Sequence, residues 1–292
     1  MDLRLRDHVI SFPRPPLLMG IVNLGADSFS GDGLPDLEAA FRKARELVAD
    51  GADLVDVGAE SARTNRGPIS VEEEAGQFLR FLERWQAEPP VSASGAKIPL
   101  SLNTWRPEVV RRVLPRGGDL LNDIGALPTD ENARICADTG AGLLIMHTVG
   151  QPKVAHTHVG YADVMARLDE FFTEKLALAE RAGMPREGIV LDPGIDFAKQ
   201  REDNLRIYRE LARLHQFGRP ILLPVSRKTV IGEVLGLPAP ERDAGTVACV
   251  VAGMLRGAQI FRVHNVRAAA QAVRTVSAVS AVETVDSTVG MP

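Results

Sequence analysis

The sequence predicts a single (β/α)8 barrel: eight parallel strands closed into a ring and wrapped by helices. Three observations predict it. A length of 292 residues is long for an ordinary domain and usual for this architecture. Short apolar runs alternate with longer helical patterns through eight units, which implies parallel strands joined by right-handed crossovers. Every apolar run ends on a residue able to donate or accept a hydrogen bond, as a barrel requires at the face that carries its chemistry. An open doubly wound sheet is the competing architecture, but eight units of this length favour closure.

Residues 1–16 read as a lead-in, 17–280 as the barrel and 281–292 as a frayed tail. Residues 17–22 form the first strand. Asp36 reads as the N-cap of a helix that buries Leu37, Ala40, Phe41, Ala44, Leu47 and Val48, and Gly51 ends it. Residues 53–57 form the second strand. Ser70 and Glu73 make a capping box for a helix from Val71 to about Trp85. Residues 89–96 read as a flexible insertion before the third strand, 98–102. Pro107 opens the next helix at its favoured first position. The fourth strand covers 119–121, its helix 130–139, and the fifth strand 142–146. A long helix over 162–182 leads to the sixth strand, 188–191, and a helix over 204–215 to the seventh, 220–225. Helical segments flank a turn at Pro238 and Pro240. The eighth strand covers 259–263, and a helix over 267–279 closes the ring.

Thirty-four basic and 38 acidic residues leave a net charge of −4, which argues against a general nucleic-acid or membrane-surface partner and leaves room for a local basic pocket. Cys136 and Cys249 provide no disulfide framework and no Cys-x-x-Cys metal signature; both read as buried thiols of a reducing compartment. No apolar run reaches 18 residues, and the segment from Met1 to Arg14 lacks a signal-peptide core, so the expected location is the cytoplasm.

The polar strand ends are Asn23, Asp56, Asn103, Asn122 with Asp123, His147, Asp192, Ser226-Arg227-Lys228, and Arg262 with His264. They divide by chemistry. Asp192, Asn103 and Asn122 supply acceptors and amides in the middle of the barrel, suited to a planar heterocycle with an amidine-like donor edge. Asp56 either joins that set or is a structural carboxylate bonded to neighbouring backbone amides. Arg63, Lys228, Arg262 and His264 form a cationic set suited to phosphate or pyrophosphate. His156 and His158 make a His-x-His pair without a third ligand, which reads as a loop pair rather than a metal site. No Walker-type or Gly-x-Gly-x-x-Gly loop supports a nucleotide cofactor.

At these residues the chain resembles the dihydropteroate synthase family of pterin-binding barrels. The resemblance runs through Met19-Gly20-Ile21-Val22-Asn23 with Asp27-Ser28-Phe29-Ser30, and through residues 51–61 with Arg63. It continues in family order through Leu121-Asn122-Asp123, Met146-His147, Leu191-Asp192-Pro193-Gly194, Ser226-Arg227-Lys228 and Arg262-Val263-His264. The family condenses a dihydropterin pyrophosphate with p-aminobenzoate, giving dihydropteroate and pyrophosphate for folate synthesis. The resemblance implies that Asn103, Asn122 and Asp192 hold the pterin, with Lys228 over its ring. It implies that Asn23, Arg262 and His264 hold the pyrophosphate, with Asn23 binding Mg2+ as cofactor. Phe29, Arg63, Phe197 and Thr229 would shape the p-aminobenzoate slot, and Asp27, Arg63 and Lys228 would be the catalytic set. A homodimer formed through barrel helices is implied as well. The Ala/Val-rich stretch 245–255 could serve it, although core burial explains that pattern equally well.

The chain departs from the family pattern at several positions. Asn103 stands where an aspartate is usual, removing a charge beside the proposed pterin cation. Leu24-Gly25-Ala26 replaces a Thr-Pro before Asp27, Ala62 and Thr64 flank Arg63 in place of Thr and Pro, and Thr229 replaces a serine. Three functions fit the residues: a working synthase, a pterin-binding paralogue with little or no condensation, and a pterin-dependent methyltransferase. The last has no use for the cations Lys228, Arg262 and His264.

Overall fold

The structure is a computed structural model that describes residues 1–25, 37–60, 67–150, 152, 154 and 159–280. It contains the barrel. Strands β3 (Leu17–Asn23), β4 (Leu54–Gly58), β5 (Leu100–Asn103), β6 (Leu120–Asp123), β7 (Gly142–Met146) and β8 (Ile189–Asp192) pair in parallel succession. Strands β9 (Leu222–Pro224) and β10 (Ile260–Val263) continue from β3 on its other side. A parallel bridge between Leu191 and Ile221, with the Leu191 amide 2.9 Å from the Pro220 carbonyl, joins β8 to β9 and closes the ring.

Side-chain alternation along each strand separates two cores. Met19, Leu54, Leu120, Leu144, Val190, Leu222 and Ile260 fill the barrel, whereas Leu18, Val55, Leu121, Leu143, Leu191 and Leu223 point outward to the helices. Strand register also sets the site. Asn23 pairs with Gly58, Gly58 with Asn103, and Asn103 with Asn122, so these strand ends lie at one level.

The helices follow the apolar periodicity. α1 (Leu37–Ala49) buries Ala40, Phe41, Ala44, Leu47 and Val48; Asp36, its expected cap, lies outside the described residues. In α2 (Val71–Ala87) the Ser70 hydroxyl accepts from the Glu73 amide at 3.1 Å, while the Glu73 carboxylate accepts from Gln77. α3 (Pro107–Val113) begins on its proline, and α4 (Glu131–Thr139) ends at the left-handed Gly140. Asp163 caps α5 (Val164–Arg181) by accepting from the amides of Met165 and Ala166. α6 (Arg201–Glu210) tightens into a 3-10 helix over Leu211–Phe217 where one continuous helix is expected. α7 (Thr229–Leu235) and α8 (Asp243–Met254) flank the proline turn, and α9 (Val266–Ser280) completes the ring. No helix among the described residues is long and apolar enough to cross a membrane.

Three expectations need correction. The lead-in carries an antiparallel hairpin of β1 (Asp2–Leu5) and β2 (His8–Ser11). It inserts Leu3, Leu5 and Phe12 into the interior cluster, as a plug under the strands. Arg6, at φ +53°, secures it by donating to the carbonyls of Leu114, Gly118 and Thr139 at 3.0, 2.8 and 2.7 Å. The plug sits so close that a Cβ on Gly142 would come within 2.4 Å of Leu5. Residues 89–96 are not a flexible insertion but part of an ordered turn. Val91 bridges Lys97, and Ser92 bonds Ala96 through its amide (2.8 Å) and its hydroxyl (3.1 Å). Cys136 is buried as expected, but Cys249 is only half-buried. The tail 281–292 lies outside the described residues.

Leu5 is fully buried against the barrel interior. Leu5→Ala should therefore destabilise the fold by about 3 kcal/mol, read as a lower urea midpoint with an unchanged slope.

Candidate active site

The barrel mouth is organised around Asp56, which is completely buried on β4. Its carboxylate accepts from the Ser101 hydroxyl at 2.6 Å, from the Asn103 amide at 3.3 Å and from the Asn122 amide at 3.2 Å. The Arg262 Nε donates to it at 2.7 Å. Its partners are side chains of three other strands, not backbone amides, and its acceptors are already engaged. Asp56 is therefore an internal organiser rather than a fourth acceptor for a ligand.

This has a directional consequence. A carboxylate only accepts, so both asparagines must turn their NH2 groups toward it. The Asn122 Oδ1 is left buried without a partner among the described residues. A buried carbonyl of this kind costs free energy unless a ligand donor meets it. The guanidinium of Arg262 is likewise anchored through Nε, and its two terminal nitrogens have no bond among the described residues.

Asp192 ends β8, nearly fully buried, and accepts from the Gly194 amide at 2.7 Å. Burial raises its pKa to about 6, opposed by that bond and by Lys228, Lys199 and Arg262. Lys228, just before α7, is held with its Nζ 2.7 Å from the Ile195 carbonyl and 4.8 Å from the centre of the Phe197 ring. Burial lowers its pKa, against the opposing pull of Asp196 and Asp192. Thr229 is exposed at the start of α7, and its amide donates to Asp196. His264 follows β10, with Nδ1 2.8 Å from the Ser226 hydroxyl, so the two loops after β9 and β10 are joined. Asn23 is exposed at the end of β3.

The structure thus gathers Asn23, Asn103, Asn122, Asp192, Phe197, Lys228, Thr229, Arg262 and His264 at the C-terminal ends of the strands and the loops that follow them. Asp27, Phe29 and Arg63 lie outside the described residues, as do His156 and His158. Asp123 departs from the ligand set. It is fully buried, accepts from Gly125 and Asn132, and has its pKa raised to about 6 by burial. His147 departs too: it is buried beneath the loop after β8, and burial, then Lys199, depress its pKa to about 2.

Comparison with known proteins assigns the family. The family described as pterin binding enzymes matches residues 19–264. The chain is 36% identical over 262 residues to the dihydropteroate synthase of Escherichia coli K12, covering 89% of this chain and 90% of that one. The chain belongs to the dihydropteroate synthase family. Its fold superposes with a TM-score of 0.86 on Xanthomonas albilineans dihydropteroate synthase with 4-aminobenzoic acid, at 35% identity over 96% of this chain and 98% of that one. The same enzyme in complex with 7,8-dihydropteroate gives a TM-score of 0.83 at 34% identity, covering 97% of this chain and 100% of that one. The family's members are transferases of a pterinylmethyl group, and the expectation of a synthase stands.

Sequence reasoning missed Lys199 and Arg242. Arg242 donates to the carbonyls of Arg227 and Lys228 at 3.2 and 3.1 Å and so holds the loop that carries Lys228. Nothing in the sequence marks it, because its partners are backbone atoms.

The raised pKa of Asp192 makes a prediction about stability. A folded pKa above the unfolded one favours the protonated folded state, so the contribution is full below about pH 4 and is lost as pH rises through about 6. Asp192→Asn keeps the acceptor for Gly194 without the charge. It should be more stable than wild type to urea at pH 8 by about 2 kcal/mol, with the difference vanishing near pH 4, and should have lost activity.

Proposed function

We propose that the mouth condenses 6-hydroxymethyl-7,8-dihydropterin pyrophosphate with p-aminobenzoate, with the residues placed as follows. The pterin lies in the central pocket, its donor edge on Asp192 and on the outward carbonyl of Asn122, with Asn103 beside it and Lys228 over the ring. The single observation that carries this is the orphaned, buried Oδ1 of Asn122, with Asp192 a second buried acceptor at the same end of the barrel, two strands away. Such a pair of acceptors suits the parallel donors of a pterin.

Arg262, His264 and Asn23 hold the pyrophosphate. Arg262 brings a fork geometry matched to phosphate oxygens, and Asp56 keeps it pointed. Mg2+ fits the donor set: a hard cation takes oxygen ligands, keeps several waters and is commonly held by substrate phosphates with few protein groups. Asn23 supplies one exposed amide oxygen at the strand end. When bound, the metal neutralises charge on the leaving group.

In the reaction the bond from the pterin methylene to the pyrophosphate oxygen breaks and the electron pair leaves with pyrophosphate. The nitrogen of p-aminobenzoate forms the new bond to the methylene and gives up a proton. Arg262 and His264 stabilise charge as it develops on the leaving oxygen. Phe197 and Thr229 shape the p-aminobenzoate slot beside Lys228. Phe29 and Arg63 complete it and Asp27 joins the catalytic set in the synthase reading. The substrates are small molecules, and neither nucleic acid nor membrane has a role. The cytoplasm suits the two free thiols.

A homodimer is the assembly we favour. Leu235 on α7 and Leu255 just after α8 are large apolar residues at 46% and 66% exposure, and Val234 adds to them. Exposed apolar side chains on these two consecutive helices suit self-association.

The test is pyrophosphate release from the pterin pyrophosphate with Mg2+ present. Release dependent on p-aminobenzoate is expected, and its absence with purified wild type would sink the synthase reading. Arg262→Ala should lower kcat/KM by about a hundredfold or more, while leaving binding of p-aminobenzoate in the ternary complex nearly unchanged.

A further inference from the structure

The segment between β8 and α6 touches every described residue of the proposed p-aminobenzoate slot. The Ile195 carbonyl accepts from Lys228, the Asp196 carboxylate accepts from the amides of Thr229 and Val230, and the Phe197 ring lies under the Lys228 ammonium. The segment is also strained. Asp196 at φ +67° and Ala198 at φ +49° are non-glycine residues in the left-handed region, which cost free energy and persist only where their surroundings enforce them.

What enforces them lies below the loop. Lys199 turns back so that its Nζ is 2.8 Å from His147 Nδ1, 3.0 Å from the Phe197 carbonyl and 3.3 Å from the His147 carbonyl. Two of these are carbonyl acceptors, and His147 Nδ1 is a third when the ring carries its proton on Nε2, so one ammonium serves all three. His147 is itself fixed at the end of β7, its ring edge-on to Phe171 at 4.8 Å. Tyr161 donates to the Ala198 carbonyl at 2.9 Å, and Asn204 accepts from the Asp196 amide at 2.9 Å. Lys199 thus ties the strand end to the middle of the loop by hydrogen bonds, beside Tyr161, whose ring lies 6.0 Å from that of His147.

We propose that Lys199 is a positioning residue for the aromatic-amine substrate: through His147 it clamps residues 194–198 so that Phe197 and Asp196 hold Lys228 and Thr229 in place. This rests on the slot assigned under the proposed function. The clamp is strongest with the ammonium, whose three donors are charge-assisted, whereas a neutral amine donates to two partners only. Burial brings the Lys199 pKa down to about 7. The charged groups facing it are Asp192 at the end of β8, Asp196 in the loop, Asp203 on α6 and Lys228 before α7, with neutral His147 at the end of β7. A lowered folded pKa leaves the clamp intact below about 7 and releases it above. The carboxyl and amine of p-aminobenzoate titrate well below that range.

The experiment is steady-state kinetics of wild type and Lys199→Met with Mg2+, together with amide hydrogen exchange of residues 194–198. We expect KM for p-aminobenzoate to rise about tenfold or more in the variant, with KM for the pterin pyrophosphate within about threefold. Exchange at 194–198 should quicken without global destabilisation. In wild type, kcat/KM for p-aminobenzoate should fall above about pH 7, and Lys199→Met should lack that limb. An unchanged KM, or both KM values rising together, overturns the clamp. If the variant does not fold, the wild-type profile decides, and a flat profile through pH 7 to 8 overturns it. If wild type performs no condensation, the slot assignment fails, and the exchange data still judge the clamp by whether loop protection depends on Lys199.

Discussion

A completely buried carboxylate at the centre of the barrel mouth governs the site. Taking Asp56 out of water costs several kcal/mol unless its oxygens are paired and hydrogen-bonded. The fold meets that demand with side chains from β5, β6 and β10, and in doing so fixes their geometry. The amide nitrogens of both asparagines are taken, and the Asn122 carbonyl is left as a buried acceptor without a partner among the described residues. The cation on β10 is drawn inward by one nitrogen, and its other two have no bond among the described residues. Asn103 gains a different meaning here. An aspartate in its place would set a second carboxylate where an NH2 now donates to Asp56, so the asparagine is compatible with this network and not only a missing charge.

Burial shapes the rest of the mouth in the same way. Asp192, Lys228 and Lys199 all have their charged forms disfavoured by desolvation, and each is partly restored by opposite charges nearby. Opposed pairs kept out of water interact more strongly than exposed ones. The loop after β8 is where these effects meet. Its backbone strain, its carbonyl bonds to two lysines and its aromatic ring all lie within residues 194–199.

Much of this was legible in the chain. Each apolar run ended on a polar residue, and the structure puts those residues at one end of the barrel. Strand starts were less legible, for a physical reason. Asp53 and Asp119 look like first residues of strands, but their side chains cap the neighbouring strands by accepting from the amides of Leu18 and Leu100 at 2.9 and 2.8 Å. The roles of Asp56 and Lys199 could not be read, because both depend on partners distant in sequence or on backbone carbonyls. The hairpin was missed because Arg6-Asp7 carries no glycine signal; Arg6 takes the positive φ itself and is held there by carbonyls more than a hundred residues away.

That hairpin also settles which end of the barrel can serve a ligand. Leu3, Leu5 and Phe12 share one apolar cluster with the side chains that fill the barrel, so the interior is packed core rather than a channel and its lower end is stoppered. Chemistry is left to the face where Asn122, Asp192 and Arg262 lie, and a molecule that binds there comes and goes through that face.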